Sequence, residues 1–258
     1  MMNKNIPKII IGNLKMNGSL AFFDSYLSAL KDGLNNENKV NVGLCLPYPY
    51  LSQAQSILSG SKIGWGSQNI AKFENGPHTG EVSAKMLNDF GVQYVIVGHS
   101  ERSTAYCESD ENIAEKFNNV KKHNMTPVLC VGENLIEREA GIMEQVVAAQ
   151  IEIIIKSFGT KIFENSIVAY EPIWAIGTDM AASPEQTNHM CSFIRKIINQ
   201  DGLNEINNLK IVYGGSLNSK NTVQLFGLNS VDGGLIGRAS LNINEFIKIC
   251  QLAQSFKT

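Results

Sequence analysis

Short apolar runs alternate with amphipathic segments along the whole chain. The runs begin at Lys8-Ile-Ile-Ile, Val40-Asn-Val-Gly-Leu-Cys-Leu, Lys62-Ile-Gly-Trp and Val92-Gln-Tyr-Val-Ile-Val. They continue at Thr126-Pro-Val-Leu-Cys-Val, Ser166-Ile-Val-Ala-Tyr, Leu209-Lys-Ile-Val-Tyr and Val231-Asp-Gly-Gly-Leu-Ile. Most are nearly continuous in apolar residues rather than alternating, the pattern of parallel strands covered on both faces. Helical periodicity fills intervals such as Ile113–Lys122, Met143–Phe158 and Glu185–Asn199. The last opens with Ser183-Pro-Glu-Gln, which supplies an N-cap serine, a proline at the first helical position and a glutamine at the third.

Strand–helix alternation builds either an open doubly wound sheet or a closed barrel. An open dinucleotide-binding sheet carries a GxGxxG turn after its first strand, whereas here that strand runs into Gly12-Asn-Leu-Lys-Met-Asn. Eight candidate strands without a linker predict an α/β fold, a (β/α)8 barrel with a closed, parallel, eight-stranded sheet. The 258 residues fit one such domain spanning 1–258.

Composition narrows the chemistry. A formal net charge of −2 gives the whole chain no attraction to nucleic acid or to a membrane surface. A small anionic substrate then has to be held by local charge and backbone amides. The cysteines (Cys45, Cys107, Cys130, Cys191, Cys250) are odd in number, scattered and without CxxC spacing, which predicts neither a disulfide framework nor a zinc site. Cys45 and Cys130 lie inside apolar runs and read as small buried hydrophobes. Ile9-Ile10-Ile11 is too short for a secretory leader and no apolar window is long enough to span a bilayer. A cytoplasmic location is the expectation.

In a barrel, reacting groups sit where strands give way to loops at the C-terminal face. Strand one ends in Asn13 and Lys15, on the same side of an extended chain. They read equally as a turn asparagine with a surface lysine, or as a fixed positive charge for a phosphate and a developing oxyanion. Strand four ends in Gly98-His-Ser-Glu-Arg. A single histidine is by default structural, but Ser100 and Glu101 look like a helix start. The positive end of that dipole would favour a neutral His99 ring. Strand six ends in Ala169-Tyr-Glu-Pro, where Glu171 is either an ion-pair partner or a general base. The apolar stretch after it, residues 172–178, fits a lid that excludes water. Tyr213-Gly-Gly-Ser and Gly237-Arg-Ala-Ser follow strands seven and eight, the place where many barrels bind phosphate through loop amides.

Together, Gly12-Asn-Leu-Lys-Met-Asn, Gly98-His-Ser-Glu-Arg, Ala169-Tyr-Glu-Pro-Ile-Trp-Ala-Ile-Gly-Thr, Tyr213-Gly-Gly-Ser and Gly237-Arg-Ala-Ser-Leu resemble the triosephosphate isomerase motifs, in family order. Leu129-Cys-Val-Gly-Glu and His78-Thr-Gly-Glu extend the resemblance over nearly the whole chain. It implies a TIM barrel that interconverts dihydroxyacetone phosphate and glyceraldehyde 3-phosphate, as in glycolysis and gluconeogenesis. Glu171 would be the base, His99 the electrophile and Lys15 the electrostatic stabiliser, with Asn13 beside it. The backbone amides of Gly177, Ser216, Gly237 and Arg238 would hold the phosphate. No metal or organic cofactor is implied. The family is usually dimeric through its third loop, which implies a homodimer here through residues near 73–81.

The sequence departs from the family pattern at several points. Leu14 stands where tryptophan is usual, Ser103 where a second arginine is usual, and Asp179 where glycine is common after the lid. Arg238 occupies the second glycine of the phosphate turn, where a positive φ would be uncomfortable. Its amide is expected to bind and its side chain to point outward. Two alternatives stand beside the isomerase reading. One is another phosphosugar barrel using Lys15 for Schiff-base chemistry. The other is a barrel that only binds, because fold alone never establishes activity.

Overall fold

A computed structural model describes residues 7–35, 39–177, 180–200 and 206–256. Eight strands form its centre: β1 (Lys8–Asn13), β2 (Val40–Leu46), β3 (Ile63–Ser67), β4 (Tyr94–Val97), β5 (Thr126–Val131), β6 (Ile167–Tyr170), β7 (Lys210–Tyr213) and β8 (Gly233–Ile236). Each lies parallel to the next, and β8 pairs with β1 through Ile9–Gly233 to Gly12–Ile236, closing the barrel. Every apolar run named above contains one of these strands. The largest offsets, of two residues each, are at the fourth run, where Val92 and Gln93 precede β4, and the eighth, where Val231 and Asp232 precede β8, although the Asp232 carbonyl still accepts from the Ile9 amide at 2.9 Å.

The helices are α1 (Leu20–Gly33), α2 (Leu51–Leu58), α3 (Ala84–Asp89), α4 (Ser100–Tyr106), α5 (Asp110–Lys122), α6 (Leu135–Glu139), α7 (Met143–Phe158), α8 (Pro184–Ile198), α9 (Thr222–Phe226) and α10 (Ile243–Ala253). The start of α8 is the one its sequence specifies. Ser183 Oγ accepts from the Gln186 amide at 3.2 Å, and Gln186 Oε1 accepts from the Ser183 amide at 2.9 Å. Two of the orphan amides of the first turn are thereby satisfied.

Strand periodicity divides the core into two layers. Ile9, Ile11, Cys45, Ile96, Val128, Cys130, Ile167, Ala169, Val212 and Leu235 fill the barrel interior. Their neighbours Ile10, Val95, Val97, Leu129, Val168, Tyr170, Ile211 and Tyr213 pack outward beneath the helices, against residues such as Phe23, Phe117, Ile151, Ile194 and Phe246. Successive side chains of a strand point to opposite faces, so an apolar run without alternation is what a two-faced burial requires. Cys45 and Cys130 are buried as expected, and burial pushes both thiols above their ordinary value. No helix among the described residues is long and apolar enough to cross a membrane.

Candidate active site

The alternation that builds the barrel also aims the site. Asn13, the last residue of β1, and Glu171, the first residue after β6, continue the inward parity of Ile11 and Ala169. Asn13 is buried, and its Oδ1 accepts from the Lys15 amide at 3.0 Å. Lys15 leaves the strand in the left-handed region, with φ 51°. Such a conformation costs a residue other than glycine about 1–3 kcal/mol and needs its surroundings to hold it. Here the asparagine side chain does so, and Lys15 Nζ meets Glu101 Oε1 at 2.5 Å. Sequence reading gave Glu101 no role of its own.

His99 reaches the site by a different route. Val97 faces the helices, and plain alternation does not bring residue 99 inward. Gly98 breaks the alternation with φ 72°, a region open to glycine at no steric cost. His99 then caps α4, its Nδ1 accepting from the Glu101 amide at 3.2 Å. With Nδ1 turned to this amide, Nε2 is the ring nitrogen left to face the cavity. The Glu101 carboxylate stands 3.7 Å from Nδ1, beyond a hydrogen bond, and does not compete with the amide.

Nε2 points at Glu171, 3.6 Å from Oε2. His99 and Glu171 are each only 4% exposed, and Glu171 Oε2 has no hydrogen-bond partner. An unpartnered carboxylate oxygen in a nearly dry site is costly unless something enters to use it. The Cys130 thiol lies against the same group. Burial first, and the Glu171 charge second, hold that thiol protonated.

A second buried carboxylate anchors the segment after Glu171. Glu133 Oε1 accepts from Trp174 Nε1 at 2.9 Å, Arg138 Nη1 at 3.0 Å and Tyr170 Oη at 3.1 Å. Its backbone carbonyl takes the Ile173 amide at 2.9 Å. The apolar stretch that the sequence presents as a lid is therefore tied at its start to the end of β5. Beyond the 3-10 turn Ile173–Ala175, Ser216 Oγ donates to the Ala175 carbonyl at 2.9 Å, and Gly177 has φ 71°. Tyr213 Oη accepts from the Ala182 amide at 3.0 Å on the far side of the segment. Thr178, the last residue of the expected lid, lies outside the described residues.

These positions converge. Asn13, Lys15, His99, Glu171, Gly177, Ser216, Gly237 and Arg238 all line one cavity of about 670 Å³ at the C-terminal mouth of the barrel. A profile of the triosephosphate isomerase family matches residues 8–253. The chain belongs to the triosephosphate isomerase family. Relatives carrying that name are 46% identical in Nitrosomonas eutropha and 47% identical in Thiobacillus denitrificans, each match covering 95% of this chain and 98% of the relative. A further relative of the same name from Shewanella baltica is 42% identical over 96% of this chain and 97% of its own.

The departures from the triosephosphate isomerase pattern are accommodated locally. Leu14 is fully buried in the layer beneath the helices and is an apolar residue in an apolar place. Ser103 is exposed, while its neighbour Arg102 pairs with Glu108 at 3.3 Å and Lys116 also bonds Glu108. Asp179 lies outside the described residues. Arg238 opens the 3-10 turn Arg238–Leu241, and its φ is not among the positive values. The strain expected of a residue replacing glycine there does not arise, because this turn does not use the left-handed region. Its side chain is exposed, as expected. Sequence reading placed Glu133 in a family motif but gave it no role. Its position just past β5 was the signal, since that is where barrel chemistry collects.

Proposed function

We propose that this chain interconverts dihydroxyacetone phosphate and glyceraldehyde 3-phosphate through an enediolate. The observation that carries the reading is the buried, unpartnered Glu171 carboxylate oxygen 3.6 Å from His99 Nε2, in a cavity shared with Lys15. Glu171 takes the proton from the carbon alpha to the carbonyl, and the electron pair moves onto the carbonyl oxygen. His99 donates its Nε2 hydrogen to that oxygen and takes the proton of the neighbouring hydroxyl, so the two oxygens exchange roles. Glu171 then returns its proton to the adjacent carbon. A neutral ring suits this task, because an imidazole fixed by an amide at Nδ1 gives and regains a proton at Nε2 alone.

Lys15 stabilises the negative charge of the intermediate, with Asn13 holding its backbone in place. The amides of Gly177, Ser216, Gly237 and Arg238 hold the phosphate. Residues 172–178 close over the substrate and limit loss of phosphate from the enediolate. The coupled isomerisation assay on wild type and Glu171→Gln tests the scheme. The variant is expected to lose about 10²–10⁴ in kcat while keeping near-normal affinity for a phosphate analogue. Tight analogue binding with no turnover in the wild type would overturn it.

The molecule acts as a homodimer in this reading. Residues 73–81 form an exposed loop stiffened by Phe73 stacking on His78 at 3.7 Å and by Glu74 meeting His123 Nε2 at 2.9 Å. Beside the site lies a second cavity of about 300 Å³, lined by Met16, Tyr48, Arg102 and Tyr106, with Met16 94% exposed. The partner's loop fills this cavity and covers Met16. Sedimentation showing only a 28.3 kDa species at micromolar protein would contradict the dimer.

A further inference from the structure

We infer that Gln150 is a positioning residue for the proposed reaction: its side-chain amide, reaching in from α7, fixes the backbone against which Glu171 and the start of the lid are held. The inference rests on the isomerase reading above. Gln150 stands three residues after Val147 and four before Ile154, so it shares the buried face of α7 with them. A polar group on that apolar face needs partners, and it has two. Gln150 Oε1 accepts from the Gly132 amide at 2.9 Å, and Gln150 Nε2 donates to the Gly132 carbonyl at 3.1 Å. One carboxamide thus takes both backbone groups of one residue, as a neighbouring strand would.

Gly132 needs that substitute. It is the first residue beyond β5, and the β5–β6 ladder ends one step earlier with Val131 opposite Tyr170. It is buried, where unpaired backbone groups are costly. On either side of it the chain holds the segment that carries the base. The Val131 carbonyl accepts from the Glu171 amide at 2.8 Å, and the Glu133 carbonyl accepts from the Ile173 amide at 2.9 Å. Between these bonds Gly132 lies directly against Glu171. A Cβ at Gly132 would overlap the Glu171 carbonyl, although the glycine's φ is not in the left-handed region, so close approach is what the glycine provides. Residues 131–133 therefore cradle residues 171–173, and Gln150 ties the middle of the cradle to the helix layer. A cradle that cannot shift keeps the Glu171 carboxylate at its distance from His99 Nε2.

The test compares wild type with Gln150→Met, which keeps the length of the side chain and loses both hydrogen bonds, and with Gln150→Glu, which keeps the acceptor and loses the donor. In the isomerisation of glyceraldehyde 3-phosphate, kcat is expected to fall about tenfold in the variants, as a displacement short of an ångström would cause, with KM unchanged. Calorimetric affinity for inorganic phosphate is expected to match that of the wild type. A side chain that served stability alone would lower the unfolding temperature and leave kcat per folded molecule unchanged. That result, or a loss confined to KM, would overturn the inference. Hydrogen exchange at the Glu171 and Ile173 amides reads the same hold without turnover, and it is expected to run about tenfold faster in the variants. Unchanged exchange would overturn the inference as well. A wild type that fails to isomerise, with exchange still faster in the variants, would sink the isomerase reading and leave the hold of Gln150 on the Glu171 backbone standing.

Discussion

At Gly214 a methyl group would stand 2.5 Å from Glu171 Cγ and 3.0 Å from its Oε1. The glycine's φ is not in the left-handed region, so alanine meets no backbone strain and the whole penalty falls on the contact with Glu171. The Gly214 amide also donates to the Tyr170 carbonyl at 2.9 Å, which holds the glycine against the end of β6. Gly214→Ala is expected to displace the carboxylate by a large fraction of an ångström. Displacement on that scale costs about 10²-fold in kcat. Thermal unfolding of the variant should stay close to that of the wild type, since the clash is relieved by one side chain at the cavity. A variant with normal kcat would show that Glu171 works from another position. The pairing of Lys15 with Asn13 carries the same lesson in reverse. There a strained backbone at φ 51° is retained, and a buried side-chain oxygen holds it.

Elements differ in how openly the sequence declares them. The strands are legible because burial on both faces demands continuous apolar runs, and α8 is legible because its capping box and N1 proline sit together at its start. The helices α3, α6 and α9 span only five or six residues, too few for a 3.6-residue period to register. The site was readable as a set of strand ends but not as a geometry. Nothing in Gly98-His99 announces that a φ of 72° turns the histidine inward, and nothing near Glu133 names its partners. Tyr170, Trp174 and Arg138 reach that carboxylate from β6, the lid and α6, which only barrel closure brings together. The Arg238 turn was left open for a related reason. Residue type could say only that a positive φ would be uncomfortable for an arginine, whereas the 3-10 turn after β8 does not ask for one.

On the scale of the whole molecule, the two ends of the barrel handle charge differently. The C-terminal mouth keeps one Glu171 carboxylate oxygen without a hydrogen-bond partner, while the opposite end buries a cluster of paired charges. Lys8 Nζ donates to the Val231 carbonyl at 2.5 Å, Arg195 meets Asp232 at 2.5 Å, and Asp232 also accepts from the Ile211 amide at 2.7 Å. Lys210 Nζ is buried nearby without a hydrogen bond. Burial pulls Lys8 down to about 8, against the partial support of Asp232 and with Lys210 and Arg195 adding to the fall. Burial likewise lowers Lys210. Between pH 8 and the ordinary lysine value near 10.5 the folded chain has begun to release the Lys8 proton while the unfolded chain still binds it. Stability from this group therefore rises with pH across that window and is flat below it. Urea unfolding of wild type and Lys8→Met from pH 7 to 10 checks this as a difference of differences, in which the distant surface groups cancel. Wild type is expected to gain on the variant as pH climbs above 8. Parallel curves would mean that Lys8 keeps its proton throughout, and that the carbonyl and Asp232 outweigh its burial.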